Sequence, residues 1–246
     1  MSDRDHRKEK LSGKIAKALQ MDILSGKYSP GSRLPSERNL VDLLSASRIT
    51  VREAIEKLIQ LGIVEKRPNS GTYVNDVPAH ASIMLLMEIT NYGEAVDSDI
   101  LIAMMDFRRI IEVYGAARVA QRASAADIAD MKEIVTDMKR QMDDKQAIAL
   151  LNFDLHARLN RLAGNIVIRL LFNSFNPIYR YYIEFFHLLP NASTDIIDYY
   201  ERLMAAIEAG DDQYTAHIME ELLLYGENRV KDVVGLVENG KQIKLR

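Results

Sequence analysis

From Leu11 to Leu24, apolar residues fall at Leu11, Ile15, Ala18, Leu19, Met21, Ile23 and Leu24, the spacing of three and four that turns one stripe of a helix toward a core. Gly26 and the pair Pro30-Gly31 stop the pattern. A second, short helix is predicted behind Pro35, with Ser36 as N-cap and Leu40, Val41, Leu43 and Leu44 inward. Ser47 is placed to cap a third, running to about Leu61, with Val51, Ala54, Ile55 and Leu58 on its buried side. The periodicity then changes: Ile63 to Arg67 and Thr72 to Val74 read as two short strands around the turn formers Pro68-Asn69-Ser70-Gly71.

Residues 76–83 hold one proline and little periodicity, and are expected to be a linker. From Met84 onward helical spacing takes over almost completely. Helices are predicted over about 84–90, 98–123, 125–143, 146–163, 165–187, 193–209 and 212–236, with breaks at Asn91-Tyr92-Gly93, Gly164-Asn165, Pro190-Asn191 and Gly210-Asp211. The expected fold is mainly α. It comprises a winged helix-turn-helix in 1–75, the linker, an antiparallel helical bundle in 84–238 and a polar tail in 239–246. A length of 246 residues suits two domains of unequal size.

Composition narrows the function. There is no cysteine, which removes disulfides, thiolate metal sites and cysteine nucleophiles. The N-terminus is charged, and no uninterrupted apolar run reaches the roughly 18 residues of a membrane span, so a cytoplasmic protein without membrane contact is expected. The net charge of −3 looks wrong for a nucleic-acid partner until it is divided. Residues 1–77 carry 14 Lys and Arg against 10 Asp and Glu, while the remainder carries 18 against 25. The basic excess lies where the winged helix is predicted.

A duplex is read when a helix enters the major groove with the residues of its first turns facing base edges, while other groups grip phosphates. On the third helix Arg48 and Arg52 lie one turn apart, opposite the core positions. A guanidinium can fork onto guanine, and Ser47 or Thr50 can bond a phosphate or touch a thymine methyl. Arg38 is placed to reach the same groove. In the hairpin, Arg67, Asn69, Ser70 and Gly71 are candidates for the adjacent minor groove. Two arginines four residues apart are usually a solvated face. The order helix, turn, short helix, arginine-bearing helix and hairpin is what points to DNA.

These residues resemble the winged helix of the GntR family of bacterial regulators. The match rests on Ile23-Leu24-Ser25-Gly26, on the run from Pro30 to Arg38, on Ser47-Arg48 with Val51-Arg52-Glu53-Ala54, and on Gly71-Thr72-Tyr73-Val74. The resemblance implies operator contacts by Arg38, Arg48 and Arg52. Asn69 stands where a glycine is commoner, which makes the minor-groove contacts the less secure part of the match.

The length excludes the branch of that family with an aminotransferase-like domain. The helical part resembles the FadR-type branch, through the run Asp106 to Glu112, Ala116-Ala117, His156 with Ala163-Gly164-Asn165, and the run Ala206 to Asp211. That resemblance implies a ligand-binding bundle, which in many members holds a divalent metal on an Asp and a His one turn apart plus two later histidines. The matching positions here are Asn152, His156, Tyr200 and Leu222. One retained ligand in four leads us to expect no metal and no cofactor, with a displaced shell through Asp154 or His217 as the alternative.

The resemblance points Arg108 inward as the partner of an anion, and Asn152, His156, Asn165 and Tyr200 are candidates to line the pocket. The aromatics from Phe172 to Phe186, with Tyr199, Tyr200 and Tyr225, would line a tunnel for an acyl-coenzyme A or simply fill a core. An acyl-coenzyme A, a small organic acid and no effector at all therefore remain open. No nucleophile motif or phosphate loop accompanies His156, so an enzyme is not expected. The expected protein is a homodimeric, effector-controlled regulator of operator DNA, acting as a repressor.

Overall fold

The computed structural model describes residues 3–91 and 98–237, and divides the chain into two compact units, the first ending at Ile89 and the second beginning at Thr90. The first unit opens with α1 (Asp3–Leu24), followed by α2 (Glu37–Leu44) and α3 (Arg48–Gln60). Helix α1 begins well before the apolar stripe on which it was predicted, since a polar first turn can extend a helix whose packing is set later in its length.

Each turn of this unit has a local cause. Ser36 caps α2 by accepting from the Asn39 N–H, and Ser45 ends it in the left-handed region at φ 49°, which redirects the chain within two residues. Ser47 then caps α3 by accepting from the Thr50 N–H. Against α1, α3 buries Val51, Ala54, Ile55 and Leu58, which pack with Leu19, Leu40 and Ile63 in one cluster. Full burial of each of the Val, Leu and Ile side chains contributes roughly 1.5–3 kcal/mol.

Strands β1 (Val64–Arg67) and β2 (Gly71–Val74) pair antiparallel, with Val64 opposite Val74 and Arg67 opposite Gly71. A third, shorter segment joins them. Leu34 N–H donates to Thr72 O at 2.9 Å and Val74 N–H to Ser32 O at 2.9 Å, so the run before α2 pins the outer edge of the hairpin.

Within 76–83, expected to link, residues Val77–His80 form one helical turn, α4. Its flanks are held by Asn75 N–H to Ile63 O and Ser82 N–H to Leu61 O, both 2.9 Å. Gly62 permits this approach: its φ is +76°, and an added Cβ would run into the His80 carbonyl. Helix α5 (Ile83–Asn91) follows, with Leu85 in the core of the first unit.

The second unit contains α6 (Ser98–Arg122), α7 (Ala125–Arg140), α8 (Lys145–Leu162), α9 (Ile166–Ser174), α10 (Asn176–His187), α11 (Ala192–Ala209) and α12 (Asp212–Val237). Helix α6 packs along α12, and α8 touches α6, α7, α9 and α10. The fold is therefore a winged helix-turn-helix followed by a helical bundle. The single long helix predicted over 165–187 is two. Pro177 lacks an N–H to continue the ladder, and Phe175 leaves helical geometry at φ −100°, ψ 11° just before it. Among the described residues no helix is long and apolar enough to cross a membrane.

Gly62→Ala is expected to destabilise the first unit by about 1–3 kcal/mol, because it combines a positive φ with a backbone clash. Urea denaturation followed by helical circular dichroism checks this; an unchanged midpoint for the first unit refutes the packing role.

Candidate nucleic-acid interface and effector cavity

On the winged helix, the geometry follows from which faces the core consumes. With Val51, Ala54, Ile55 and Leu58 inward, α3 leaves Arg48, Ile49, Arg52 and Glu53 exposed. Arg38 on α2, Arg48 and Arg52 on α3, and Gly71 on the hairpin border one open groove of about 310 Å³. Three charged residues that were not expected at the site border it too: Arg33, Glu37 and Lys66. The Arg33 guanidinium lies against the hairpin, so close that a Cβ on Gly71 would sit 2.6 Å from its Nε. Among the described residues Arg38 and Arg48 have no ion-pair partner, whereas Arg52 Nη2 lies 3.6 Å from Glu37 Oε2.

The hydroxyls behave differently. Thr50, expected with Ser47 to bond a phosphate or touch a thymine methyl, is only 2% exposed, and its Oγ1 lies 2.8 Å from Ser47 Oγ. Helical spacing turns Thr50 toward the same side as Ala54 and Leu58. Ser47 remains exposed, with its hydroxyl engaged as the cap of α3. Asn69 is at the exposed hairpin tip, where its φ of 56° after Pro68 and the Ser70 N–H to Arg67 O bond suit a type II turn. It does not border the groove, and beside it Arg67 stacks over the Tyr73 ring at 4.2 Å.

In the helical unit a chain of buried polar groups joins four helices. Arg108 Nε donates to Glu112 Oε1 at 3.1 Å along α6, and both are almost completely buried. Glu112 Oε2 faces His156 Nδ1 on α8 at 2.6 Å, out of line for a straight hydrogen bond. On the far side of that ring, His156 Nε2 meets the Tyr200 hydroxyl of α11 at 2.8 Å, and Tyr200 donates to Asn152 Oδ1 at 2.7 Å. The Asn152 amide donates to His187 Nε2 on α10 at 2.8 Å; the His187 proton then resides on Nδ1, 3.0 Å from Ser193 Oγ. Lys145, at the start of α8, ends the chain on Ser193.

Burial and charge set the protonation states. Burial would raise the Glu112 pKa, but the Arg108 charge and then His156 outweigh it and lower the carboxyl to about 2. Burial lowers His156 against the opposing pull of Glu112. Burial, helped by the Lys145 charge, lowers His187 to about 4. Tyr182 and Tyr200 are raised, chiefly by burial, and stay neutral.

Arg108, Asn152, His156 and Tyr200 thus meet at one cavity of about 20 Å³, with Tyr182 and Leu222 among its other walls. That volume is about the space of one water molecule. Gly226 belongs to the same wall, where a Cβ would strike the Tyr182 hydroxyl. Asn165 is not there. Its side chain caps α9 by accepting from the Val167 and Ile168 N–H groups, which corrects its assignment to the pocket. Glu112 and His187 belong to the buried polar chain without bordering the cavity, and neither was singled out from the sequence, although the i,i+4 spacing of Glu112 from Arg108 was visible.

The four positions that the resemblance matched to metal ligands converge on this cavity, but their donors do not fit a divalent ion. Leu222 has none, and the Tyr200 hydroxyl and Asn152 amide are bonded to each other rather than to a common point. Asp154 is exposed and His217 pairs with Glu221 on the surface.

Residues 11–74 match the family described as bacterial regulatory proteins, gntR family, and residues 103–224 match the FCD domain. The chain is 28% identical over 212 residues to the HTH-type transcriptional regulator Mce2R of Mycobacterium tuberculosis, covering 85% of this chain and 87% of that one. It is 25% identical to the galactonate operon transcriptional repressor of Escherichia coli, over 70% of this chain and 75% of that protein. Against the fatty acid metabolism regulator protein of Pectobacterium carotovorum the identity is 23%, over 74% and 75% of the two chains.

Because the folded pKa of His187 lies below its ordinary 6.5, its contribution to stability is full above pH 6.5 and is lost as pH falls toward 4. The loss from this group is on the order of 2–3 kcal/mol. Melting temperatures of the helical unit between pH 7.5 and 4 are expected to fall, and less steeply in His187→Gln; equal slopes refute the assignment.

Proposed function

Because the chain belongs to the GntR family, as a DNA-binding transcriptional regulator with an FCD domain behind its winged helix, we propose that it acts as a homodimeric repressor released from its operator by a small organic acid. It is a regulator and not an enzyme. The observation that carries the proposal is the convergence of Arg38, Arg48 and Arg52 on one groove, with two of these guanidiniums uncommitted to any ion pair among the described residues. One such groove presents few base contacts. Two copies on a two-fold operator multiply them, and the chain works in the cytoplasm, where that DNA lies.

The cavity around Arg108 is the proposed effector site. Arg108 is the cation on its wall, Asn152, His156 and Tyr200 are hydrogen-bonding groups, and Tyr182, Phe186 and Leu222 supply apolar surface. That combination suits a carboxylate on a short carbon skeleton. An acyl-coenzyme A is less well supported: the cavity of about 20 Å³ must widen for either ligand, and a long acyl chain demands a far larger movement of α10 or α11 than a short acid does. A ligand that widens the cavity can bind one arrangement of the bundle better than another, and that difference is what changes operator affinity.

Arg48→Ala or Arg52→Ala is expected to weaken operator binding by about 1–3 kcal/mol while affecting random DNA less. Fluorescence anisotropy on both duplexes checks this, and equal losses on the two rule out base reading. For the effector, a panel of short hydroxy- and keto-acids beside acyl-coenzyme A thioesters is screened by thermal shift. A stabilising acid whose effect disappears in Arg108→Met is expected; stabilisation by thioesters alone overturns the choice of ligand class.

A further inference from the structure

Among the side chains that border the DNA-facing groove, Glu37 is the acidic one, set among Arg33, Arg38, Arg48, Arg52 and Lys66. It occupies the first position of α2. Its Oε2 is 3.6 Å from Arg52 Nη2 on α3, and its Oε1 is 3.1 Å from Lys66 Nζ on β1. One carboxylate therefore ties three elements: the supporting helix, the helix that bears the exposed arginines, and the wing. Burial raises the Glu37 pKa, but the Lys66 hydrogen bond and the charges of Lys66 and Arg52 outweigh it and leave the carboxyl below its ordinary value, ionised at neutral pH.

A negative charge in a groove meant for a polyanion opposes binding. Nor is it needed as glue, since half-exposed ion pairs contribute about 0–1 kcal/mol to stability. What the contact does change is where its partners rest. An unrestrained Arg side chain carries about 2 kcal/mol of rotamer entropy, and a guanidinium already held at one nitrogen keeps other N–H groups free to fork onto a base. Lys66, held on the other oxygen, is kept off the phosphate backbone that every sequence shares. Both Glu37 oxygens face cations, so the carboxylate is occupied where a base would need it.

We propose that Glu37 is a positioning residue for sequence discrimination: it holds Arg52 in the orientation that reads a base edge and restrains Arg52 and Lys66 from gripping the phosphates of any sequence. This rests on the base-reading role proposed for Arg52.

The test uses the full chain. A consensus duplex is selected by the wild-type protein from a randomised library, and its affinity is compared with that of a scrambled duplex of equal composition across a range of salt. Glu37→Gln is expected to bind the scrambled duplex about threefold to tenfold more tightly, with a salt dependence steeper by about one released counterion. It should bind the consensus no more tightly, so discrimination falls about threefold to tenfold. Glu37→Asp, one methylene shorter, should lose discrimination in smaller measure while keeping the charge. In an Arg52→Ala background, Glu37→Gln should change discrimination no further.

A lowered melting temperature with unchanged discrimination and salt dependence would mean that Glu37 merely stabilises the start of α2, and overturns the proposal. Additive effects of the Glu37 and Arg52 substitutions on discrimination would place Glu37 on the DNA itself and overturn it too. If the wild type selects no consensus, the base-reading role of Arg52 fails and the proposal falls with it. A wild-type consensus with undiminished discrimination by Glu37→Gln overturns the proposal alone.

Discussion

The helical unit is organised around a charge that has nowhere else to go. Arg108 is buried on α6, and a guanidinium in that position demands a counter-charge and a full set of hydrogen bonds. Glu112 answers the charge within the same helix, leaving its second oxygen to be faced by His156 from α8. Each later partner is then constrained by the one before it, through Tyr200 and Asn152 to His187. Apolar packing alone would let the helices slide in small steps. Directional bonds across α8, α10 and α11, with the close Glu112–His156 contact bringing in α6, admit far fewer arrangements.

The winged helix solves a different problem with smaller means. Its recognition surface is a by-product of capping and burial. Ser36, Ser45 and Ser47 fix where α2 ends and α3 begins, and the core then claims one side of α3. The arginines project because nothing inward accepts them. Residues 31–34 add their hydrogen bonds to the hairpin edge, so the wing is seated on the same frame as α2.

What was readable in the sequence follows from the range of the forces involved. Capping serines, apolar stripes and hairpin turn residues act within a few positions, so α2, α3 and the wing were predictable nearly to the residue. The same holds for Arg38, Arg48 and Arg52, whose exposure follows from helical phase. The burial of Thr50 was overlooked although its cause is local: its hydroxyl meets Ser47 three residues earlier, and its spacing from Ala54 and Leu58 places it inward. Asn165 failed similarly, because a cap of α9 and a pocket residue look alike in one dimension. His187 was invisible because its partners Asn152 and Ser193 belong to other helices, and only the packed bundle brings them together. The interruption at Phe175 was legible in Pro177 but was outweighed by the unbroken aromatic pattern around it.

The Tyr182 hydroxyl occupies the space above Gly226 that a side chain there would need, which gives the cavity one wall that resists substitution. One turn before it on α12 stand Leu222 and Leu223, and Ile196 borders the cavity from α11; these are ordinary aliphatic residues whose shortening enlarges the space without stranding a polar group. Room in this cavity is therefore gained by trimming its aliphatic side chains, not by adding bulk at position 226.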